Sequence, residues 1–255
     1  MAINMKPFPE QAALFAQLSS IAYKDLAEAE PLFTELGFKA TFIEVNDSEA
    51  YFLTDADDLV FVCRGTQPTE WRDIAADLDA RMVDSSTGVG KVHRGFKTSV
   101  DHVWPKLKEI AVKYGKKRTI WCTGHSLGAA MATLAAYRLQ RNADMPNPQA
   151  LFTYGSPRVG NKEYIKGITD TGVLHFRFVN NTDVVPRVPT WPFHHFGGMY
   201  YMNHYGNLRT LTMQQLTKDV YRGIIQGIKQ RSISLVDNHS IDKYVENLAR
   251  WARGE

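Results

Sequence analysis

The apolar positions change period along the chain, and the changes mark out its elements. A helix is expected to begin near Pro9, a residue tolerated in a first helical turn, with Ala12, Ala13, Phe15, Ala16 and Ile21 as its apolar positions. Three strand-like runs follow at Ala40–Val45, Glu49–Leu53 and Leu59–Cys63, the last continuously apolar as in a buried strand. Val100–Tyr114 reads as a helix interrupted near its start by Pro105, Thr119–Cys122 as a strand, and Leu127–Gln140, rich in Ala and Leu, as a strong helix. Beyond it come strands Ala150–Thr153 and Leu174–Val179, then a hairpin of Tyr200–Asn203 and Leu208–Thr212 around His204–Asn207. Helical patterns close the series, from Met213 to about Ile228 and from Ile241 to Trp251. Apolar strands alternating with helices predict an α/β fold: a central, mostly parallel sheet flanked by helices and mixed at its margins, where the hairpins fall. No repeat, low-complexity tract or linker divides the 255 residues, so a single domain over 1–255 is expected.

Composition changes this picture little. Hydrophobic residues make up 44% and charged ones 22%, the ordinary globular balance, and a net charge of +3 is too small to imply a nucleic-acid partner. No apolar run reaches membrane-spanning length, so no transmembrane anchor is expected. The N-terminus lacks a basic-then-apolar signal pattern, so the chain reads as soluble: secreted if a leader was removed, otherwise cytoplasmic. Cys63 and Cys122 fall within strands and read as reduced core thiols; no Cys/His spacing suggests a metal, and no cofactor is expected.

Chemistry enters at Gly124-His125-Ser126-Leu127-Gly128, a G-x-S-x-G pentapeptide between the apolar strand Thr119–Cys122 and the helix opened by Leu127. That strand–turn–helix setting makes it a nucleophile elbow rather than a glycine turn. The turn strains the serine backbone, Gly124 and Gly128 remove side chains that would crowd it, and the hydroxyl of Ser126 emerges at a helix N-terminus, where amides favour negative charge. The backbone N–H of Leu127, the residue after the nucleophile, is one expected oxyanion donor.

Four motifs occur in order: Phe61-Val62-Cys63-Arg64-Gly65-Thr66, Val92-His93-Arg94-Gly95-Phe96, the elbow, and Tyr154-Gly155-Ser156-Pro157-Arg158-Val159-Gly160-Asn161. The set resembles the class 3 lipase family of the α/β-hydrolase superfamily, which includes the filamentous-fungal triacylglycerol lipases, over about Tyr23 to Tyr244. The resemblance implies an α/β-hydrolase fold, serine-dependent ester hydrolysis, and Thr66 as the second oxyanion residue. Fungal relatives usually carry several disulfides; the two cysteines here cannot reproduce them, which points to a bacterial or intracellular-type branch.

A serine hydroxyl needs a base and an orienting carboxylate, in the chain order Ser, Asp or Glu, His. His175, His194, His195, His204 and His239 follow the serine. His239 is favoured: it lies in the loop Val236–Ser240 before a helix, and with Tyr244 five residues on it resembles the family's catalytic histidine segment. Asp183 stands in a polar loop just past an apolar strand, where active-site groups of open α/β sheets gather; Asp170 and Asp237 are its rivals. Its segment also resembles the family's acid motif.

Gln67–Asp79 places Trp71, Ile74 and Leu78 at helical spacing with Arg72, Asp73 and Asp77 between them, an amphipathic pattern suited to a lid that shields a pocket in water and meets lipid when open. Arg72–Leu78 is similar to the fungal lid, with Ile74 where those enzymes often have Trp. Trp191, Phe193 and Phe196 are candidates for an apolar acyl pocket. The expected partners are an ester or lipid substrate and a lipid–water interface. A triacylglycerol lipase is the leading reading. The alternatives are a short-chain or aromatic carboxylesterase, or a phospholipase A1, of the same fold, and a lipase-like binding protein without turnover. Oligomeric state is not legible.

Overall fold

The computed structural model describes residues 2–65, 81–209 and 237–255. Helix α1 (Phe8–Ile21) and a short α2 (Leu26–Glu35) precede three strands, β1 (Lys39–Val45), β2 (Ser48–Thr54) and β3 (Asp58–Cys63). A small antiparallel pair, β4 (Met82–Asp84) and β5 (Lys91–His93), leads into the long α3 (Arg94–Tyr114). Then β6 (Thr119–His125), α4 (Leu127–Gln140), β7 (Pro148–Tyr154), α5 (Lys162–Thr169) and β8 (Leu174–Asn180) alternate, before β9 (Gly198–Met202), β10 (Leu208–Arg209) and α6 (Ile241–Ala252).

The main sheet has eight strands in the order β1-β2-β3-β6-β7-β8-β9-β10. β3, β6, β7, β8 and β9 run parallel, whereas β1–β2–β3 and β9–β10 pair antiparallel, so the sheet is mixed at both margins as the hairpin signals require. Strand period sorts the core into two layers. Leu59, Phe61 and Cys63 of β3 face one layer together with α3 and α4, while Val60 and Val62 face the other with α1 and α6. Both faces of β3 are thus covered, which is why its residues are apolar without alternation. Each fully buried large side chain in these layers contributes about 1.5–3 kcal/mol.

The expectation for one helix needs correction. Helix α3 starts at Arg94 rather than Val100 and runs through Pro105 without a break. The His93 ring caps its first turn by accepting from the Phe96 amide, 3.4 Å away. The rung lost at Pro105 is outweighed by a buried stripe of Phe96, Val100, Val103, Trp104, Leu107 and Ile110. Helices α2 and α5 lack a sequence prediction because each buries only two side chains, Ala29 and Phe33 in one, Tyr164 and Ile168 in the other. The separate pair β4–β5, three residues a strand, is likewise too short for its period to be read. The helix expected at Met213–Ile228 lies outside the described residues, as does the hairpin beyond Arg209. Among the described residues, no helix is long and apolar enough to cross a membrane, and no cluster of His, Cys, Asp and Glu is arranged to hold a metal.

Candidate active site

The site lies at the carboxyl ends of β6, β7 and β8. β6 runs on to His125, three residues past its expected end, and Ser126 caps α4 with φ 58° and ψ −128°. Such a backbone costs a non-glycine residue about 1–3 kcal/mol. The neighbouring glycines show why it is held. A Cβ on Gly124 would stand 2.4 Å from the Gly128 carbonyl oxygen, and one on Gly128 would stand 2.2 Å from that of Cys63. The strand exit and the helix start are packed backbone to backbone, and the Ser126 amide donates to the Tyr154 carbonyl at 3.0 Å. Leu127 opens α4, so its N–H belongs to the first-turn amides that no helical carbonyl takes up.

His239 enters from a single 3-10 turn, Asp237–His239, just before α6. Its Nε2 is 2.8 Å from Ser126 Oγ, and its Nδ1 is 3.1 and 3.0 Å from the two carboxylate oxygens of Asp183. A carboxylate only accepts, so Nδ1 carries the proton, Nε2 is bare, and the serine O–H donates to it. Ser126, Asp183 and His239 are 1%, 0% and 1% exposed.

Asp183 sits in the turn after β8. Its Oδ1 accepts from the Val185 amide at 2.9 Å, an Asx-type turn, and its Oδ2 accepts from the Tyr244 hydroxyl at 2.6 Å. Burial, then the Asp183 charge, push the Tyr244 phenol far up, so it stays a donor, and it accepts in turn from the Asn180 amide at 3.0 Å. Sequence reading marked Tyr244 only as part of a resembling segment; its contact assigns it to holding the carboxylate.

Gly155 is a residue that sequence reading quoted in a motif but gave no task. Its φ is +57°, and a Cβ there would stand 2.8 Å from His239 Cε1 and 2.9 Å from Asp183 Oδ2. The Asp183 and His239 side chains occupy the space a Gly155 side chain would fill. Gly155→Ala is therefore expected to cost about 1–2 kcal/mol from the left-handed backbone alone, and to lower turnover further by displacing His239. Thermal melts and rates on a soluble ester check both; unchanged turnover in this variant would show that the pair does not need that space.

The other predicted residues are placed as follows. His175 lies on β8 with Nε2 2.7 Å from Thr153 Oγ1. The His195 Nε2–H donates to the Pro186 carbonyl at 2.6 Å, and burial, then Arg177, hold its pKa down to about 3. His194 belongs to an isolated bridge with Gly160, and His204 lies in the turn between β9 and β10, beside Tyr205. Asp170 is paired with Lys166 at 2.6 Å on the surface of α5. Of the three pocket candidates, Trp191 is 83% exposed. Phe193 packs 5.7 Å from the His93 ring, and Phe196 packs 5.1 Å from His175 within a core layer. Short spacing in a proline-rich loop does not tell which aromatic turns inward. Cys63 and Cys122 are free and buried, and burial pushes both thiols up, Cys122 to about 12. Thr66 and the lid residues Trp71, Ile74, Asp77 and Leu78 lie outside the described residues.

The family described as Lipase (class 3) matches residues 60–193, more than half of the chain. The chain belongs to the class 3 lipase family. A lipase of Rhizopus niveus is 31% identical over 193 residues, covering 71% of this chain and 48% of that protein. Phospholipase A1-II 1 of Oryza sativa is 33% identical over 177 residues, covering 59% and 44%. The solved structure of lipase II from Rhizopus niveus superposes with a TM-score of 0.65 at 26% identity, over 76% of this chain and 80% of that one. This class 3 lipase chain thus has the α/β-hydrolase fold of those structures, and it spans about half the length, or less, of the curated relatives it matches.

Proposed function

We propose that this chain hydrolyses carboxylic esters of lipids, triacylglycerols first among them, through an acyl-enzyme on Ser126. The observation that carries the reading is the buried relay from Ser126 Oγ through His239 to Asp183. In the first half-reaction His239 Nε2 takes the serine proton as Oγ adds to the ester carbonyl; the imidazolium is stabilised by Asp183 and then protonates the departing alcohol. The oxyanion that forms between these steps is held by the Leu127 N–H and, on the family pattern, by Thr66. Water, deprotonated by the same His239, then releases the fatty acid and frees Ser126. No cofactor is needed for these steps. The two apolar layers on one sheet support a single hydrolase domain.

The chain's similarity to a rice phospholipase A1 supports a second reading in which the ester belongs to a phospholipid. A rate series on p-nitrophenyl esters from acetate to palmitate, with emulsified triglyceride and phosphatidylcholine in parallel, separates the readings. The triacylglycerol reading expects the emulsion to be the preferred natural substrate. A phosphatidylcholine preference moves the assignment to phospholipase, and no turnover or fluorophosphonate labelling at all leaves a binding protein.

The segment Gln67–Asp79 is proposed as a lid, with the lipid–water interface as partner. Exposed to lipid, each of Trp71, Ile74 and Leu78 gains about 1.5–3 kcal/mol of apolar contact, so two or three offset the cost of opening. Leu78→Asp is expected to lower the rate on emulsified triglyceride far more than on a soluble butyrate ester. Equal losses on both, with smooth saturation through the substrate's solubility limit, would remove the lid and leave a surface helix.

A further inference from the structure

Against the His239 ring lies a buried side chain that the relay does not use. His125, the residue before the nucleophile, has its ring centroid 4.4 Å from that of His239, at an interplanar angle of 31°. Both of its nitrogens are engaged: Nε2 is 2.7 Å from the backbone oxygen of His239, and Nδ1 is 2.8 Å from the Tyr23 hydroxyl. A carbonyl only accepts, so Nε2 carries the proton. A neutral imidazole has one N–H, so Nδ1 must accept and the Tyr23 O–H must donate.

The surroundings keep it so. Burial, and then the adjacent His239, hold His125 well below the usual histidine range, so the ring is neutral at working pH. Burial also pushes the Tyr23 phenol far up, against the opposing Arg64 charge, so its proton stays in place. Three titratable side chains pack their rings against His125: Tyr23, His239 and Tyr244, the last 5.8 Å away between ring centroids. Tyr23 reaches this point from just beyond the end of α1. It fits because Gly65 has no side chain: a Cβ there would stand 2.3 Å from the Tyr23 hydroxyl and 2.6 Å from the His125 carbonyl oxygen.

We propose that His125, its tautomer set by Tyr23, is a positioning residue that fixes the backbone of His239 and thereby the reach of Nε2 to Ser126. The inference rests on the hydrolase reading above. His239 sits in a single turn, and the hydrogen bond to its carbonyl fixes the point from which its side chain projects. A misplacement of about 1 Å at a reacting group costs about 100-fold in rate. The opposite tautomer would set a bare Nε2 lone pair against a carbonyl lone pair and push His239 away. Neutrality matters as well. When His239 takes the serine proton it becomes a cation, and a second cation on the adjacent ring would oppose that step.

The test compares wild type, Ser126→Ala, Tyr23→Phe, His125→Leu and His125→Gln on a soluble p-nitrophenyl ester, with melting curves. His125→Leu is expected to lose about 100-fold in kcat and Tyr23→Phe about tenfold, with KM unchanged. His125→Gln, whose amide N–H can reach the same carbonyl, is expected to recover much of the leucine loss. In ¹⁵N spectra His125 should show a protonated Nε2 that does not titrate between about pH 5 and 9. If wild type turns over and Ser126→Ala does not, yet folded Tyr23→Phe and His125→Leu keep the wild-type kcat, the inference fails while the hydrolase reading stands. An inactive wild type defeats that reading, and the spectra then judge His125 alone: a protonated Nδ1, or a ring that titrates, overturns its placement. Should His125→Leu fail to fold, Tyr23→Phe, which lacks one oxygen, decides.

Discussion

Ser126→Ala is expected to remove ester hydrolysis by about 10⁶-fold while the chain stays folded. The prediction follows from what the side chain touches. Its Oγ donates to His239 Nε2, so the substitution deletes the nucleophile and one hydrogen bond. The strained backbone, φ 58°, is borne by alanine at the same cost as by serine, since both carry a Cβ. Melting curves should therefore nearly coincide, and covalent labelling by a fluorophosphonate should vanish. Normal turnover by the purified variant would end the proposal.

His239→Ala should be nearly as damaging, and adding it to Ser126→Ala should cost little more, because nucleophile and base act as one unit. His195→Ala and His204→Ala serve as contrasts. The first loses a hydrogen bond to the Pro186 carbonyl, and the second alters the turn between β9 and β10, where its ring packs beside Tyr205. Both should keep most of the turnover rate. A dead His204→Ala beside a working His239→Ala would mean that the base had been assigned to the wrong loop.

How far the sequence could be read depended on how local each signal was. The central strands and α4 were legible because burial on both faces leaves a run of apolar residues, and the residues set Leu127–Gln140 to its full length. The elbow was legible because its glycines, serine and helix start are adjacent in the chain. Helix α3 was cut short because a proline at position 105 weighs heavily in a local reading, whereas the buried stripe and the His93 cap that sustain it are tertiary facts. The three aromatics after Pro189 share one composition, yet Trp191 faces solvent and Phe193 and Phe196 face protein. The partners of the relay were least visible. Tyr23 and His125 are 102 residues apart, Gly155 matters for an atom it lacks, and nothing in spacing alone announces either. His125 was in plain view inside the pentapeptide, and a polar ring beside a nucleophile is the one local hint that was available.

Helices α1 and α6 contribute to the same apolar layer, although they lie near opposite ends of the sequence. Ser126 and His239 are themselves separated by 113 residues. Contacts of such long range form late, because the entropy of closing the intervening loop must be met before they return any energy. On the proposed mechanism, catalytic competence is then the last property to appear as the molecule folds. A chain with its sheet paired and its elbow formed would still lack a base until α6 docks on α1. Recovery of turnover after denaturation consequently reports completion of the whole fold rather than formation of secondary structure, and loosening of α1 or α6 would reach the proposed chemistry.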